Sequence, residues 1–536
     1  MRLACFASCV LLFVTLSFCE AQNVEARVGT RVAVGQQLIS QVMTSIQIPL
    51  VYLLNENTHA LPEIHLTEKA TPLITIHLTL NNTYLTDVVV SSTYAEFLEE
   101  TNTMKIVFAG MAGHIEGDFY YYYYTIWRNE GQGSLVASFS DSEGWIELKF
   151  DATDDGHVNV LYVDSKVKLE NLELQFDGSW SWLLNLFPGV NLIIKRRINK
   201  TFHDICERVT NIINTQIFDR LPIMWGIKLL KSAVAFDFGL PEDPKVTAST
   251  YNSFSVLGTF VDTKFPSILP PFPVTPELPM VYDPYTPAAS IAPAAYYPLP
   301  VPASGIVDTR PWSKMVDIPP QVQIMLSEYT FNSLGWALYS VGGLDVDFTE
   351  ETLPDGVPVA MNTLFFGAIV PGLLIQCPDC PVKIAAESET WPVVDVTADG
   401  ARMTHRIKLS WFTLSRRTDD WQFSFSMWVD FSGSLLLSID PDLLRVFGDL
   451  QIDHINMTMD QSDVGTVHLF AFEKITNRLI QQGIQPLINS VLHNIGVPLP
   501  ELPFGVKIID PEMIFTDGMV VILSDALFPF PRYELH

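Results

Sequence analysis

Residues 166–189 read KVKLENLELQFDGSWSWLLNLFPG, and residues 190–221 continue with Ile194, Ile198, Phe202, Ile205, Val209, Ile212 and Ile217 before Pro222. Two periodicities meet here. Val167 and Leu169, then Leu172, Leu174 and Phe176, recur at every second position, with a shift of phase between the two sets. That is the pattern of a strand with one apolar face, interrupted by a bulge. Beyond it the apolar residues recur mostly every three or four positions, which marks an amphipathic helix. Pro222 ends the run because it has no N–H to offer the preceding turn. A one-faced strand leading into a long one-faced helix leaves each needing cover from the other. The stretch predicts an α+β fold in which antiparallel sheet packs on long helices.

The same patterns recur on both sides. Residues 27–46 place Val28, Val32, Ile39, Val42 and Ile46 at spacings of three, four and seven, and predict a first helix. Residues 327–341 predict another, with Ser327 as N-cap, Phe331, Leu334, Leu338 and Val341 on one face, and Gly342-Gly343 as the stop. A last helix over 466–493 carries Leu469, Phe472, Ile475, Leu479 and Leu487, with a kink at Gly483 and Pro486. Alternating strands lie between: Ile74, Ile76, Leu78 and Leu80; Leu135, Ala137 and Phe139; Ile146, Leu148 and Phe150; and Trp421, Phe423, Phe425, Met427 and Val429. Helix, strands, helix appears early and a related order late, which suggests two copies of one architecture. Twelve prolines between residues 265 and 302 predict an extended crossover joining them. The expected layout is 1–21, 22–240, 241–320 and 321–536: a leader, a first unit, central strands with the crossover, and a second unit that returns to the centre.

Composition narrows the class. The 536 residues include 60 acidic and 32 basic side chains, a net charge of −28, yet 48% are hydrophobic and the mean hydropathy is +0.22. A disordered chain of that charge would be poor in apolar residues. A helical membrane protein would repeat apolar runs of about 18 residues or more. One run comes close, at 3–19; with Arg2 before it and Cys19 and Ala21 around Glu20, it reads as a secretory signal cleaved before Gln22. A secreted, extracellular protein is expected, with Asn81, Asn199 and Asn456 as sequons for glycosylation. Residues 22–240 carry 16 basic against 25 acidic side chains (−9), and residues 241–536 carry 15 against 34 (−19). Neither segment can neutralise a phosphate backbone, so nucleic acid is excluded as a partner. Lys195, Arg196, Arg197 and Lys200 read as a solvated helix face.

Three cysteines remain once the signal is removed. Cys377-Pro-Asp-Cys380 reads as a short-range disulfide or a turn, and Cys206 as buried or paired between chains. No second cysteine pair or spaced histidine pair completes a metal site. The sequence lacks G-x-S-x-G, H-E-x-x-H, phosphate-loop and dinucleotide patterns, so neither an enzyme nor a cofactor is expected. His77 falls on the polar phase of its strand, and Asp154-Asp155-Gly156 is a turn signal.

Specific residues add a resemblance. Residues 166–189, then Ile205–Asn211 (ICERVTN) and Arg220-Leu221-Pro222, are similar to the bactericidal/permeability-increasing protein family, which has lipopolysaccharide-binding, cholesteryl-ester-transfer and phospholipid-transfer members. Four further stretches agree in order: IQIP at 46–49, LSEYTFNS at 326–333, NTLFFG at 362–367 and GVPLP at 496–500. The resemblance covers nearly the whole mature chain. It implies a boomerang of two tubular barrels, each a twisted antiparallel sheet wrapped around a long helix, joined by a central sheet. Each barrel would hold phospholipid or neutral lipid in an apolar pocket, and lipid would be exchanged in transient contact with membranes or lipid particles. Candidate lining residues are Val28, Val32 and Val42 on the first helix and Ile194, Ile198, Phe202, Ile205 and Val209 on the long one. The implied function is secreted lipid binding and transfer; the alternative is innate-immune binding of bacterial lipopolysaccharide or other microbial lipid. Two features depart from the family. Cys206 matches the helix partner of its N-terminal disulfide, but no cysteine lies between Cys19 and Cys206 to pair with it. The acidic first unit also lacks the basic charge that endotoxin neutralisation uses.

Overall fold

The computed structural model describes residues 28–527 apart from 48–58, 179–188, 217–222, 229–232, 273–277, 283–319, 353–358, 441–443, 500–506 and scattered shorter gaps. The expected signal segment and most of the proline-rich crossover lie outside the described residues. Within them the chain is mostly antiparallel sheet with few helices, a sheet-rich α+β fold.

The N-terminal part is an eight-stranded sheet whose longest members, Thr103–Tyr124 and Arg128–Ala152, pair along their lengths. The alternations at 135–139 and 146–150 predict two strands, but both belong to the 25-residue strand Arg128–Ala152. The phase changes inside it because the register slips around Met111. There Asp141 takes φ +52° and, across the pair, Gly110 takes φ +63°. A bulge carries the inward face from odd to even positions without ending the strand. Ile76, Leu78, Leu80, Ile115, Phe119, Tyr121, Leu135 and Phe176 form one apolar cluster on the inner face.

The 28-residue helix Gly189–Gln216 lies along the strand Val158–Lys168. Its polar side chains replace the missing neighbour at that sheet edge. Asn214 accepts from the Val160 amide at 2.9 Å and donates to the Val160 carbonyl at 2.8 Å. Asn199 accepts from the Val167 amide at 2.8 Å. The C-terminal part uses the same device. Its seven-stranded sheet includes Gly400–Leu414, Trp421–Asp440 and Arg445–Ser462. Asn489 of the helix Gln485–Ile495 clips the Leu450 amide and carbonyl at 2.8 and 3.2 Å. A helix asparagine satisfying both backbone groups of one edge residue closes an edge that would otherwise template pairing. Where a kink is expected, at Gly483 and Pro486, a π-helical turn, Ile480–Ile484, passes into the α-helix Gln485–Ile495. The helix Glu328–Ser340 starts after Ser327 and ends before Gly342, whose φ is +64°. Ser327 caps by position alone; its hydroxyl donates to the Gly29 carbonyl at 2.7 Å instead.

The two parts meet in a six-stranded antiparallel sheet ordered Lys245–Thr247, Tyr251–Val256, Thr30–Gly35, Val322–Ser327, Met519–Leu527, Lys507–Thr516. This corrects the first predicted helix. Thr30–Gly35 is a central strand buried along its whole length, and helix begins only at residue 36. A strand covered on both faces shows no polar alternation, so its apolar spacing passes for a helical one. Arg31, buried here, is satisfied by Glu242 at 2.9 Å, by the Ser255 hydroxyl at 3.1 Å and by the Leu278 carbonyl.

Candidate functional site

Along Gly400–Leu414 the inward positions are Ala401, Met403, His405, Ile407, Leu409 and Trp411, and all are buried. The strand has two different interiors. At its far end Trp411 stacks on Phe425 with centroids 4.6 Å apart and meets Phe472 edge-on at 5.2 Å, with Phe366 beyond Phe472 at 6.2 Å. That end is solid. Around Met403, His405 and Ile407 the packing opens into a cavity that reaches solvent. The helix Glu328–Ser340 supplies Phe331, Leu334 and Leu338, the helix Gln485–Ile495 supplies Ile488 and Leu492, and the sheet adds Ala386, Val394, Phe431 and Leu435. Gly335 faces Pro392, where an added Cβ would come 2.6 Å from the carbonyl oxygen, so glycine sets the approach of helix to wall.

Among the described residues His405 is the one polar side chain in this lining; every other is apolar or glycine. Its Nε2 lies 3.1 Å from the Thr390 carbonyl, which only accepts, so Nε2 carries the proton. The ring meets Phe431 edge-on at 5.4 Å. Burial pushes its pKa down to about 4, against a smaller opposing effect of the Thr390 hydrogen bond, so the ring is neutral at pH 7. The cavity can therefore remove hydrocarbon from water without setting a charge inside it. Each buried CH₂ contributes about 0.8 kcal/mol. Among the described residues no group of three side chains could hold a metal ion, and no helix is long and apolar enough to cross a membrane.

The candidate residues from the sequence lie elsewhere. Val28 is half-buried beside Met325 and Val521, and Val32 is a core residue of the central sheet. Neither is on a helix, contrary to the sequence expectation. Ile198 packs on the N-terminal sheet cluster and Phe202 on the main core. The side chains of Val42, Ile194, Ile205 and Val209 are outside the described residues. None of the four that are described, Val28, Val32, Ile198 and Phe202, lines the C-terminal cavity. The residues that do line it had one legible signal: His405 sits on the apolar phase of Ala401, Met403, Ile407 and Leu409, while Arg402, Thr404, Arg406 and Lys408 take the other phase.

Of the sequons, Asn456 is exposed, Asn81 is half-buried and Asn199 is occupied with the Val167 amide. Cys377 and Cys380 form a disulfide. Cys206 is a free thiol buried in the helix, and burial pushes its pKa up to about 12. The thiolate is the nucleophile, so alkylation of native Cys206 at pH 7.5 should be at least about a hundredfold slower than in denaturant. Intact-mass kinetics with iodoacetamide would show this, and equal rates would contradict it.

The chain matches the model described as "LBP / BPI / CETP family, C-terminal domain" over residues 230–526. It is 22% identical over 534 residues to a bactericidal permeability-increasing protein of Sebastes schlegelii, spanning 98% of this chain and 100% of that protein. It is 20% identical over 359 residues to a lipopolysaccharide-binding protein of Bos taurus, spanning 67% of this chain and 65% of that one. A crystal structure of lipopolysaccharide binding protein aligns with a TM-score of 0.46 at 15% identity, over 94% of this chain and 99% of that one.

Proposed function

Because the chain belongs to the LBP / BPI / CETP family, whose members bind or transfer lipid and are not enzymes, we propose that it is a secreted glycoprotein that carries and transfers phospholipid or neutral lipid. The observation that carries this reading is the C-terminal cavity, open to solvent and lined by apolar side chains with one neutral histidine. Acyl chains inside it would be held by burial alone, with a headgroup at the mouth. In this reading each part is a tube of sheet around its helices, residues 22–240 and 321–536, with the central strands and crossover at 241–320 between them. A second pocket would lie along the long helix, bordered by Ile194, Ile198, Phe202, Ile205 and Val209. Val28, Val32 and Val42 would stand at its inner end, toward the central sheet.

The names of the relatives favour a second reading, recognition of bacterial lipopolysaccharide. The net charge of −9 over residues 22–240 weighs against it, since an anionic glycolipid is met by basic surface. Organic extraction of the purified protein followed by lipid mass spectrometry tests both. At least one host lipid per chain, not displaced by excess lipopolysaccharide, is the expected result. A protein that carries no lipid and takes none from phosphatidylcholine vesicles would overturn the carrier reading.

A further inference from the structure

We propose that the C-terminal cavity selects neutral lipids bearing a free hydroxyl, of the diacylglycerol kind, and that Nδ1 of His405 accepts the hydroxyl hydrogen; this rests on the lipid-carrier reading above. Three observations lead there. The first is the state of the ring. Its single proton is on Nε2, held by the Thr390 carbonyl at 3.1 Å, so Nδ1 presents a lone pair. Among the described residues no donor reaches Nδ1. That lone pair can meet a hydroxyl that enters the cavity.

The second is where the strand keeps its charge. Arg402, Arg406 and Lys408 alternate with the cavity residues and face away from them. Outside, Arg406 pairs with Asp430 at 2.9 Å and Lys408 with Asp460 at 2.8 Å. Among the described residues no lysine or arginine lines the cavity, and His405 is uncharged at neutral pH because burial lowers its pKa to about 4. A phosphate or carboxylate drawn inside would find no countercharge, whereas a hydroxyl needs none.

The third is orientation. His405 is fixed on both sides, by Thr390 at Nε2 and by the edge-on ring of Phe431, its cross-strand partner. A fixed acceptor loses little freedom on binding, which is the condition for one hydrogen bond to discriminate between ligands.

The full-length protein is incubated with phosphatidylcholine vesicles containing equal amounts of 1,2-dioleoylglycerol and its 3-acetyl ester, which has the same chains and no donor. Protein is re-isolated and its lipid measured by mass spectrometry. Wild type should enrich the diacylglycerol over the ester roughly tenfold, the effect of one buried hydrogen bond. His405→Leu should bring the ratio to about one, and His405→Gln, which restores an acceptor, should recover part of it. Equal uptake of the two lipids by wild type overturns the proposal, as does a preference that survives in His405→Leu. The wild-type ratio decides even where a variant does not fold. Uptake of phosphatidylcholine without discrimination removes the selectivity and leaves the carrier reading standing; no uptake of any lipid removes both.

Discussion

Replacing Ala386 with tryptophan should empty the C-terminal cavity of lipid and leave the protein as stable as before. Ala386 lies on the strand Val382–Ser388, is buried, and lines the cavity between Val346 and Leu409, its neighbours across the sheet. An indole there grows into space that holds no protein atoms, so the strain that large residues impose on filled cores is avoided. It also covers wall that an acyl chain would touch. Cavity-bound lipid should fall by more than about tenfold, since losing contact with only two or three CH₂ groups costs that much affinity. The thermal midpoint should move by no more than about 1 °C, the shift that roughly 1 kcal/mol brings in a protein of this size. Lipid mass spectrometry and calorimetry on one preparation check both halves, and undiminished lipid would place the ligand elsewhere.

Trp411→Ala should do the opposite. Trp411 is on the inward face of the strand that carries His405, 1% exposed, between Phe425 and Phe472, with Leu409 packed before it. Nothing can move in to fill the hole. Truncating a large aromatic in such a site costs about 4 kcal/mol, the transfer free energy of the ring plus the cavity left behind. Urea denaturation should show that loss as a lower midpoint, while lipid per folded chain stays near the wild-type value. A Trp411→Ala protein that kept its stability would mean that this end is also open. Together the two variants separate side chains that hold the sheet together from side chains that face a ligand, a distinction that burial alone does not make: Ala386 and Trp411 are both buried.

That distinction also marks where reading the sequence stops. Glu328–Ser340 is legible to within a residue, because Ser327 and Gly342 carry local signals that depend on no distant partner. The irregular, π-helical turn before Gln485–Ile495 is legible for the same reason, since Gly483 and Pro486 disturb a helix wherever it lies. Thr30–Gly35 is not. Its burial on both faces comes from Tyr251–Val256 and Val322–Ser327, more than two hundred residues away, and leaves no alternation to find. The cavity is harder still. Phe331, Val346, Ala386, Met403, Leu435 and Ile488 each look like ordinary core positions in sequence. What makes them a site is the gap left where two helices and a sheet fail to close, and no single segment encodes a gap. His405 is the exception, because a histidine on the apolar phase of a strand differs from its neighbours at i±2 in the sequence itself.

The central sheet sets a timetable for synthesis. Thr30 and Thr330 lie side by side with hydroxyls 3.4 Å apart, yet 300 residues separate them along the chain. At a translation rate of roughly 5–20 residues per second, Thr30–Gly35 leaves the ribosome about 15 to 60 s before its partner Val322–Ser327. Until Val322–Ser327 emerges, the edge of this apolar strand that it will cover stays unpaired, although the N-terminal sheet is complete once residue 178 has been made. The second neighbour of Val322–Ser327, Met519–Leu527, comes last of all. A chain cut short anywhere before residue 519 thus leaves the junction of its two parts with a bare edge.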